Sequence, residues 1–474
     1  MIALTLAEVA DRTGGRLTEP TAADRVVDAA VVTDARQCVP GSLYVARVGE
    51  HADGLDYVGQ ARERGAVAVL AERPSPDLPT VVVPDVQQAF GRLAHAVVAA
   101  VPALRVVAVT GSSGKTSTKD LLAQVLAGLG PTVAAQESLN GEVGVPLTAL
   151  RVQPDTRCLV LEMGARGIGH IAYLTEVVPP QVAVVLNVGT AHLGEFGSVA
   201  AIAEAKSELV QGLPADGLAV LNADDPAVRA MADRTRGRVV LVGRSPEAAV
   251  RAVDVRLDDE ARAGFELRTP AGSVPVQLSL HGEHHVGNAL ATAAVALELG
   301  MTLPDVAAAL ARARPVSRWR MEVTDRADGV RIVNDAYNAN PDSMRAALKA
   351  LVTMGAGRRT WAVLGEMLEL GPDAARLHDE IGRLAVRLNI SQLYVVGDGA
   401  APIHHGASLE GSFGGESEYV DTVDEALAVL ERTVRPGDAV LLKSSRDAGL
   451  RWLAQPLVEA LDRHAGTDQT GDDA

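Results

Sequence analysis

Cysteine is scarce, with Cys38 and Cys158 the two in 474 residues. They stand in stretches that read as different domains, which excludes a disulfide framework and points to a reducing, cytoplasmic setting. Aromatic residues make up only 3%, leaving valine, alanine and leucine to fill the cores. Positive charge is short as well: 44 Lys and Arg against 60 Asp and Glu give a net charge of −16. That field repels phosphate backbones and anionic lipid, so no nucleic-acid partner is expected. Long apolar runs are missing too. The most apolar stretch, Ala94 to Thr110, is broken by His95, Pro102 and Arg105, well short of a membrane span. The opening MIALTLAEVADRTGG carries Glu8 and Asp11 without a basic leader, so no signal peptide is expected.

Glycine, by contrast, is plentiful at 45 residues, in a chain that is 47% hydrophobic. This mixture suits an α/β protein with many tight strand-to-helix turns. At roughly 150 residues per domain the length suggests about three domains. The expected division is an N-terminal module with a linker helix over 1–100, a central domain over 101–314 and a C-terminal domain over 315–464. The polar, acidic tail 465–474 is expected to be disordered.

In the first block, short apolar runs at 31–32, 43–46, 67–70 and 81–83 alternate with turn signals such as Pro40-Gly41 and Asp53-Gly54, predicting a small α/β module. The central block has continuous apolar runs at 106–109, 159–161, 182–186, 218–221 and 239–242. The third repeats the habit at 330–333, 361–364, 393–396 and 439–442. Runs apolar on both faces predict parallel sheets covered by helices, the third Rossmann-like.

The sharpest motif is Thr110-Gly111-Ser112-Ser113-Gly114-Lys115-Thr116-Ser117, directly after the 106–109 strand and before a helix carrying Leu121, Leu122, Val125 and Leu126. Glycines let the backbone curl so that several N–H groups face one anion at a helix N-terminus. Lys115 is placed for the β- and γ-phosphates of ATP and the Thr116 hydroxyl for Mg²⁺. The spacing departs from the usual one, since Val109 stands five before Gly114 and the first glycine is Gly111. Glu162 ends the next strand-like run and His192 follows the one after. A carboxylate at that sheet edge can hold a cation, although taken alone Glu162 reads sooner as a solvated strand-end residue and His192 as a satisfied polar one; together they weigh more than either.

From this loop onward the pattern resembles the Mur ligase family of ATP-dependent amide-forming enzymes. TGSSGKTS, Leu161-Glu162-Met163-Gly164, the stretch 187–197 and Ala205-Lys206-Ser207-Glu208 are similar to its central ATPase domain. The resemblance implies ATP and Mg²⁺ as cofactors, with Thr116, Glu162, His192 and a carbamylated Lys206 at the metal. Without it Lys206 reads as a plain surface lysine. It further implies ATP contacts from Gly111 through Ser117, Asn288, Arg320 and Asp335, with Lys115, His192, Lys206 and Arg320 catalytic. Asp34 and Arg36 resemble the module holding the UDP end of a substrate, where Arg36 either meets the pyrophosphate or pairs with a local acid. Asn334 to Ser343 and Leu364 to Gly371, followed by His378, are similar to the branch that adds D-alanyl-D-alanine. Tyr337, Asn338 and Asn340 are the expected acceptor residues. Ala35, Gly141, His285 and Ser444 depart from the family pattern.

The expected reaction joins UDP-N-acetylmuramoyl-tripeptide to D-alanyl-D-alanine through an acyl phosphate, late in peptidoglycan precursor synthesis, by a monomer whose hinges lie near Pro102 and at 313–316. The alternatives are a related folylpolyglutamate-type ligase with another acceptor, or an ATP-binding regulator without ligase activity.

Overall fold

The computed structural model describes residues 1–49, 52–191, 193–410 and 416–468. Among these, three larger sheets follow one another along the chain, and a small ribbon pairs Leu4–Thr5 with Val26–Val27. The first sheet runs in the order Arg16–Leu17, Thr80–Val82, Ala68–Ala71, Leu43–Val45, Val31–Val32. All its pairings are parallel except that of Arg16–Leu17 at the edge. The helix Val86–Ala99, capped by Asp85, lays Phe90, Leu93, Ala94 and Val97 into a core continuous from Leu43 to Val106 and Leu161. Each fully buried Val, Leu or Phe there contributes about 1.5–3 kcal/mol.

The central sheet has nine strands. Seven lie parallel, in the spatial order Val250–Leu257, Arg238–Gly243, Leu218–Asn222, Val182–Val185, Arg105–Thr110, Cys158–Glu162 and Thr132–Ala134. Arg105–Thr110 sits between Val182–Val185 and Cys158–Glu162, so chain order reverses at it. Such a reversal opens a crevice at the carboxyl ends of the strands. The sheet is not wholly parallel as the sequence pattern predicted: Val250–Leu257, Arg262–Thr269 and Gly272–His281 form an antiparallel extension. Side chains there alternate between buried and open positions, the habit of a sheet covered on one face only.

The third sheet runs Glu322–Asp325, Arg331–Asn334, Ala439–Lys443, Thr360–Gly365, Gln392–Val396, Ser417–Val420, antiparallel only at the first pair. Apolar clusters cover both faces, around Leu348 and Ile381 on one and Leu430 and Leu457 on the other. The fold is thus three-part α/β. The final helix, Ala454–Asp468, runs through the first four positions of the expected disordered tail. A helix already nucleated propagates by one hydrogen bond per residue fixed; positions 469–474 lie outside the described residues.

The segment between the central and third sheets is tied down where a hinge was expected. Arg314 N–H donates to Gln124 Oε1 and Gln124 Nε2 donates to Arg314 C=O, both at 2.9 Å. Ser317 N–H donates to Asp120 Oδ2 at 3.1 Å. Both partners stand on the helix Lys115–Leu126.

Candidate active site

The 110–114 loop leaves the carboxyl end of Arg105–Thr110 and enters the helix Lys115–Leu126 through Gly114, whose φ is +79°. A Cβ on Gly114 would lie 2.7 Å from Asn288 Oδ1, so both backbone and neighbour demand glycine. Gly114→Ala is expected to lose about 1–2 kcal/mol in thermal unfolding from the left-handed backbone alone. Gly287→Ala, with nothing within 4 Å of its Cβ position, should cost nothing.

Asn187, at the end of the neighbouring strand, braces the loop. Its Oδ1 accepts from Ser113 N–H at 2.9 Å and its carbonyl from Ser112 N–H at 3.1 Å. Two amides expected to face the phosphates are therefore engaged by Asn187. The first-turn amides from Lys115 onward have no acceptor within the helix and remain the anion-facing set. Lys115 Nζ donates to Gly111 C=O at 2.7 Å; burial pushes its ammonium pKa down, with Glu162 opposing and Arg320 adding.

Thr116 Oγ1 donates to the buried Glu162 Oε2 at 2.8 Å and lies 2.9 Å from Ser138 Oγ. Asn140 Nδ2 holds the other oxygen, Oε1, at 2.7 Å. Gly141, one of the departures from the family pattern, has nothing within 4 Å of its Cβ position. Arg320 reaches in from beyond the linker, NH2 donating to Thr116 Oγ1 at 3.0 Å and Ser138 Oγ at 3.2 Å. Its guanidinium lies 4.2 Å from the centre of the Tyr337 ring. On either side of Arg320 the backbone is left-handed at Trp319 (φ +59°) and Met321 (φ +50°). The Trp452 ring, 4.9 Å away edge-on, packs against Trp319, and Met321 N–H donates to Asp335 Oδ1 at 3.1 Å.

These groups line one cleft of about 700 Å³ that also takes in Ser117, Asn288, Asp335, Tyr337, Asn338 and Asn340. Asn288 Nδ2 stands 3.3 Å from His285 Nδ1; burial pushes the His285 pKa well below its usual value, leaving an uncharged ring. The Asn340 side chain caps the helix Pro341–Met354, accepting from Ser343 N–H at 2.9 Å. Lys206 is buried on the helix Val199–Gln211 and has no hydrogen-bond or ion-pair partner among the described residues. Burial, and then repulsion from Lys115, bring its pKa down to about 7. His192 lies outside the described residues.

Asp34 and Arg36 are elsewhere. Asp34 borders a separate cavity of about 1010 Å³ between the first and central sheets, with Gln136, Leu139 and Arg151 across from it. Of the two readings for Arg36, the local one is realised: its Nε and NH2 donate to Asp34 at 3.0 and 2.8 Å.

Ser138 and the bracing role of Asn187 have no local sequence signal, since their partners lie far away along the chain. Lys443 was findable. It ends the apolar run 439–442 as Glu162 ends 159–161, and its buried ammonium donates to Asp335 Oδ2 at 2.6 Å.

Known proteins are similar to this chain over nearly its whole length. Family profiles match the chain in succession: "Mur ligase family, catalytic domain" over 29–113, "Mur ligase middle domain" over 109–296 and "Mur ligase, glutamate ligase domain" over 319–446. The chain belongs to the Mur ligase family. A Mur ligase of Mycobacterium tuberculosis, named UDP-N-acetylmuramoyl-tripeptide--D-alanyl-D-alanine ligase, is 49% identical over 97% of this chain and 98% of its own length. The Escherichia coli protein of the same name is 37% identical over 97% and 99%. The crystal structure of MurF from Acinetobacter baumannii superposes with a TM-score of 0.88 at 31% identity, covering 96% of this chain and 99% of that one. MurF from Thermotoga maritima in complex with ADP gives 0.80 at 29% identity, covering 92% and 99%.

Among the described residues of this Mur ligase, no three His, Cys, Asp or Glu side chains cluster as a metal cage. The donor chemistry nonetheless fits Mg²⁺, which takes hard oxygens from one or two side chains and fills the rest of its shell with water and phosphate. Thr116 and Glu162 present such oxygens side by side.

Proposed function

We propose that this chain is the ATP-dependent ligase that adds D-alanyl-D-alanine to UDP-N-acetylmuramoyl-tripeptide. The observation that carries the reading is the contact of Arg320 with Thr116 Oγ1 beside buried Glu162. A residue of the third part thereby touches the phosphate loop at the point where charge must be neutralised.

A carboxylate is a poor electrophile. In the first step one oxygen of the tripeptide carboxylate bonds to the γ-phosphorus of ATP, the bond from that phosphorus to the bridging oxygen breaks, and ADP leaves. In the second, the dipeptide amine bonds to the acyl carbon, the carbon–oxygen bond to phosphate breaks, and the amine gives up a proton. Two anions approach in the first step. Lys115 and Arg320 offset their repulsion, Lys115 from within the loop and Arg320 from across the cleft. Mg²⁺ held by Thr116, Glu162, His192 and the carbamate of Lys206 would supply further charge neutralisation at the phosphates. A neutral Lys206 amine, favoured by its pKa of about 7, is the form that CO₂ modifies. Asn288 borders the nucleotide base, Asp335 steadies the turn that carries Arg320 through Met321 N–H, and Tyr337 and Asn338 face the acceptor.

Residues 1–100 hold the UDP handle through the cavity beside Asp34, 101–314 hold ATP, and 315–464 the dipeptide. The active form is read as a cytoplasmic monomer. No described helix is long and apolar enough to cross a membrane.

The test is mass-resolved product formation from ATP, UDP-N-acetylmuramoyl-tripeptide and D-alanyl-D-alanine, run against competing amino acids. The expected outcome is one amide product per ADP released. Product with a different amine alone would move the chain to another branch, and ADP release without any amide would make it a regulator.

A further inference from the structure

The dipeptide acceptor carries a charge that the reaction leaves untouched. Its amine is consumed, but its terminal carboxylate remains an anion throughout, and a cleft that encloses it must offer a cation or leave it unpaired. Resting on the acceptor reading above, we propose that Arg446 binds this carboxylate and is the residue that selects a free C-terminus.

Two cations line the cleft from the third part beyond residue 330, Lys443 and Arg446. Lys443 is committed: it is 1% exposed, and its ammonium donates to Asp335 Oδ2, to Asp335 C=O at 3.2 Å and to Asn338 C=O at 3.1 Å. Three donors meet three acceptors, which exhausts an ammonium. Arg446 is the reverse. Its side chain is exposed, and among the described residues it has neither an acid nor a hydrogen-bond acceptor. Its one recorded partner is the Tyr337 ring, 5.9 Å from the guanidinium. Arg166 also lines the cleft, but from the central part, and Arg451 stacks on Trp319 and Trp452 behind it, 5.5 and 5.0 Å from their centres.

Position agrees with charge. Tyr337 also carries the Arg320 guanidinium, 4.2 Å from its centre, and Arg320 is 3.0 Å from Thr116 Oγ1. A chain of contacts thus runs from the phosphate loop through Arg320 and Tyr337 to Arg446. An extended dipeptide reaches about 7 Å from amine to carboxylate. With its amine at the acyl phosphate near Arg320, its far end comes within reach of Arg446, since both guanidinium groups lie within 6 Å of the same ring. The turn holds the residue there: Arg446 opens the 3-10 turn Arg446–Ala448 directly after the strand Ala439–Lys443, and Ser445 N–H is fixed to Glu366 C=O at 2.9 Å. A planar guanidinium meets a carboxylate through two parallel hydrogen bonds, which an ammonium cannot do.

The experiment compares D-alanyl-D-alanine with its C-terminal amide, which keeps the amine and both methyl groups but lacks the charge. Phosphate release and amide product are followed for the unaltered chain, Arg446→Ala and Arg446→Lys. The unaltered chain should prefer the free acid by about 10- to 100-fold in kcat/KM, the range for one charge-assisted interaction. Arg446→Ala should lose that preference through a raised KM for the acid, with the amide rate and the KM for ATP little changed. Arg446→Lys should recover part of it. Undiminished preference in Arg446→Ala overturns the assignment, as does an equal fall on both acceptors or a rise in KM for ATP instead. Failure of the unaltered chain to couple either dipeptide overturns the acceptor reading itself, a separate and recognisable result.

Discussion

Lys115→Ala is expected to abolish acyl-phosphate formation while leaving the chain folded. The ammonium stands at the start of the helix Lys115–Leu126, bonded to Gly111 C=O at 2.7 Å, the one lysine within the phosphate loop. Removing a charged partner that acts at the point of charge build-up costs about 10³-fold or more, roughly 4 kcal/mol of transition-state stabilisation. Alanine is a good first-turn residue, so the helix keeps its start. Unfolding temperature should therefore stay within a few degrees. Hydroxylamine trapping of the activated acid, measured without acceptor, isolates the first step. Trapping at the unaltered rate would remove Lys115 from the mechanism.

The second large effect is expected at Lys206. Lys206→Ala should lower coupling by about 10²- to 10³-fold, the range for loss of one charged group at a transition state. Formate or acetate should restore part of it by standing where the carbamate oxygens would be. Lys206→Met keeps most of the stem, separating loss of charge from loss of packing. The pH course carries a sign. A lysine pKa lowered to about 7 means the amine is protonated below that pH and free above it. At fixed dissolved CO₂, activation should rise steeply as pH passes upward through 7 and continue to rise above it, because forming the carbamate from the free amine releases a further proton. Insensitivity to CO₂ across that range, with no rescue by small carboxylates, would leave Lys206 a packing residue.

Much of this was readable before folding, for definable reasons. The phosphate loop is contiguous, so its strand, glycines, Lys-Thr pair and helix announce one another. Strands buried on both faces at 106–109, 182–186 and 439–442 show as unbroken apolar runs, and each is a strand in the structure. The ribbon from 250 to 281 was missed because a strand covered on one face alternates, and Arg251, Glu266 and Arg268 dilute its signal. Edge strands such as Thr132–Ala134 and Glu322–Asp325 are too short to carry a period. In the site the limits were of another kind. Asn340 caps its own helix and Arg36 bonds Asp34, contacts between near neighbours in sequence that spacing alone does not rank against a ligand. Ser138 and Asn187 gain their meaning from strands that meet only after the chain has folded.

The stitched linker has a mechanical corollary. With Arg314 and Ser317 fastened to Gln124 and Asp120, any swivel of the third part must turn downstream, about Arg318 to Met321. That short span contains Trp319 and Met321 in left-handed backbone, at about 1–3 kcal/mol each. Arg320 therefore rides on the pivot itself. Its grip on Thr116 and the angle between the two bodies are one variable, so a nucleotide that competes for the guanidinium also sets the torque on the joint.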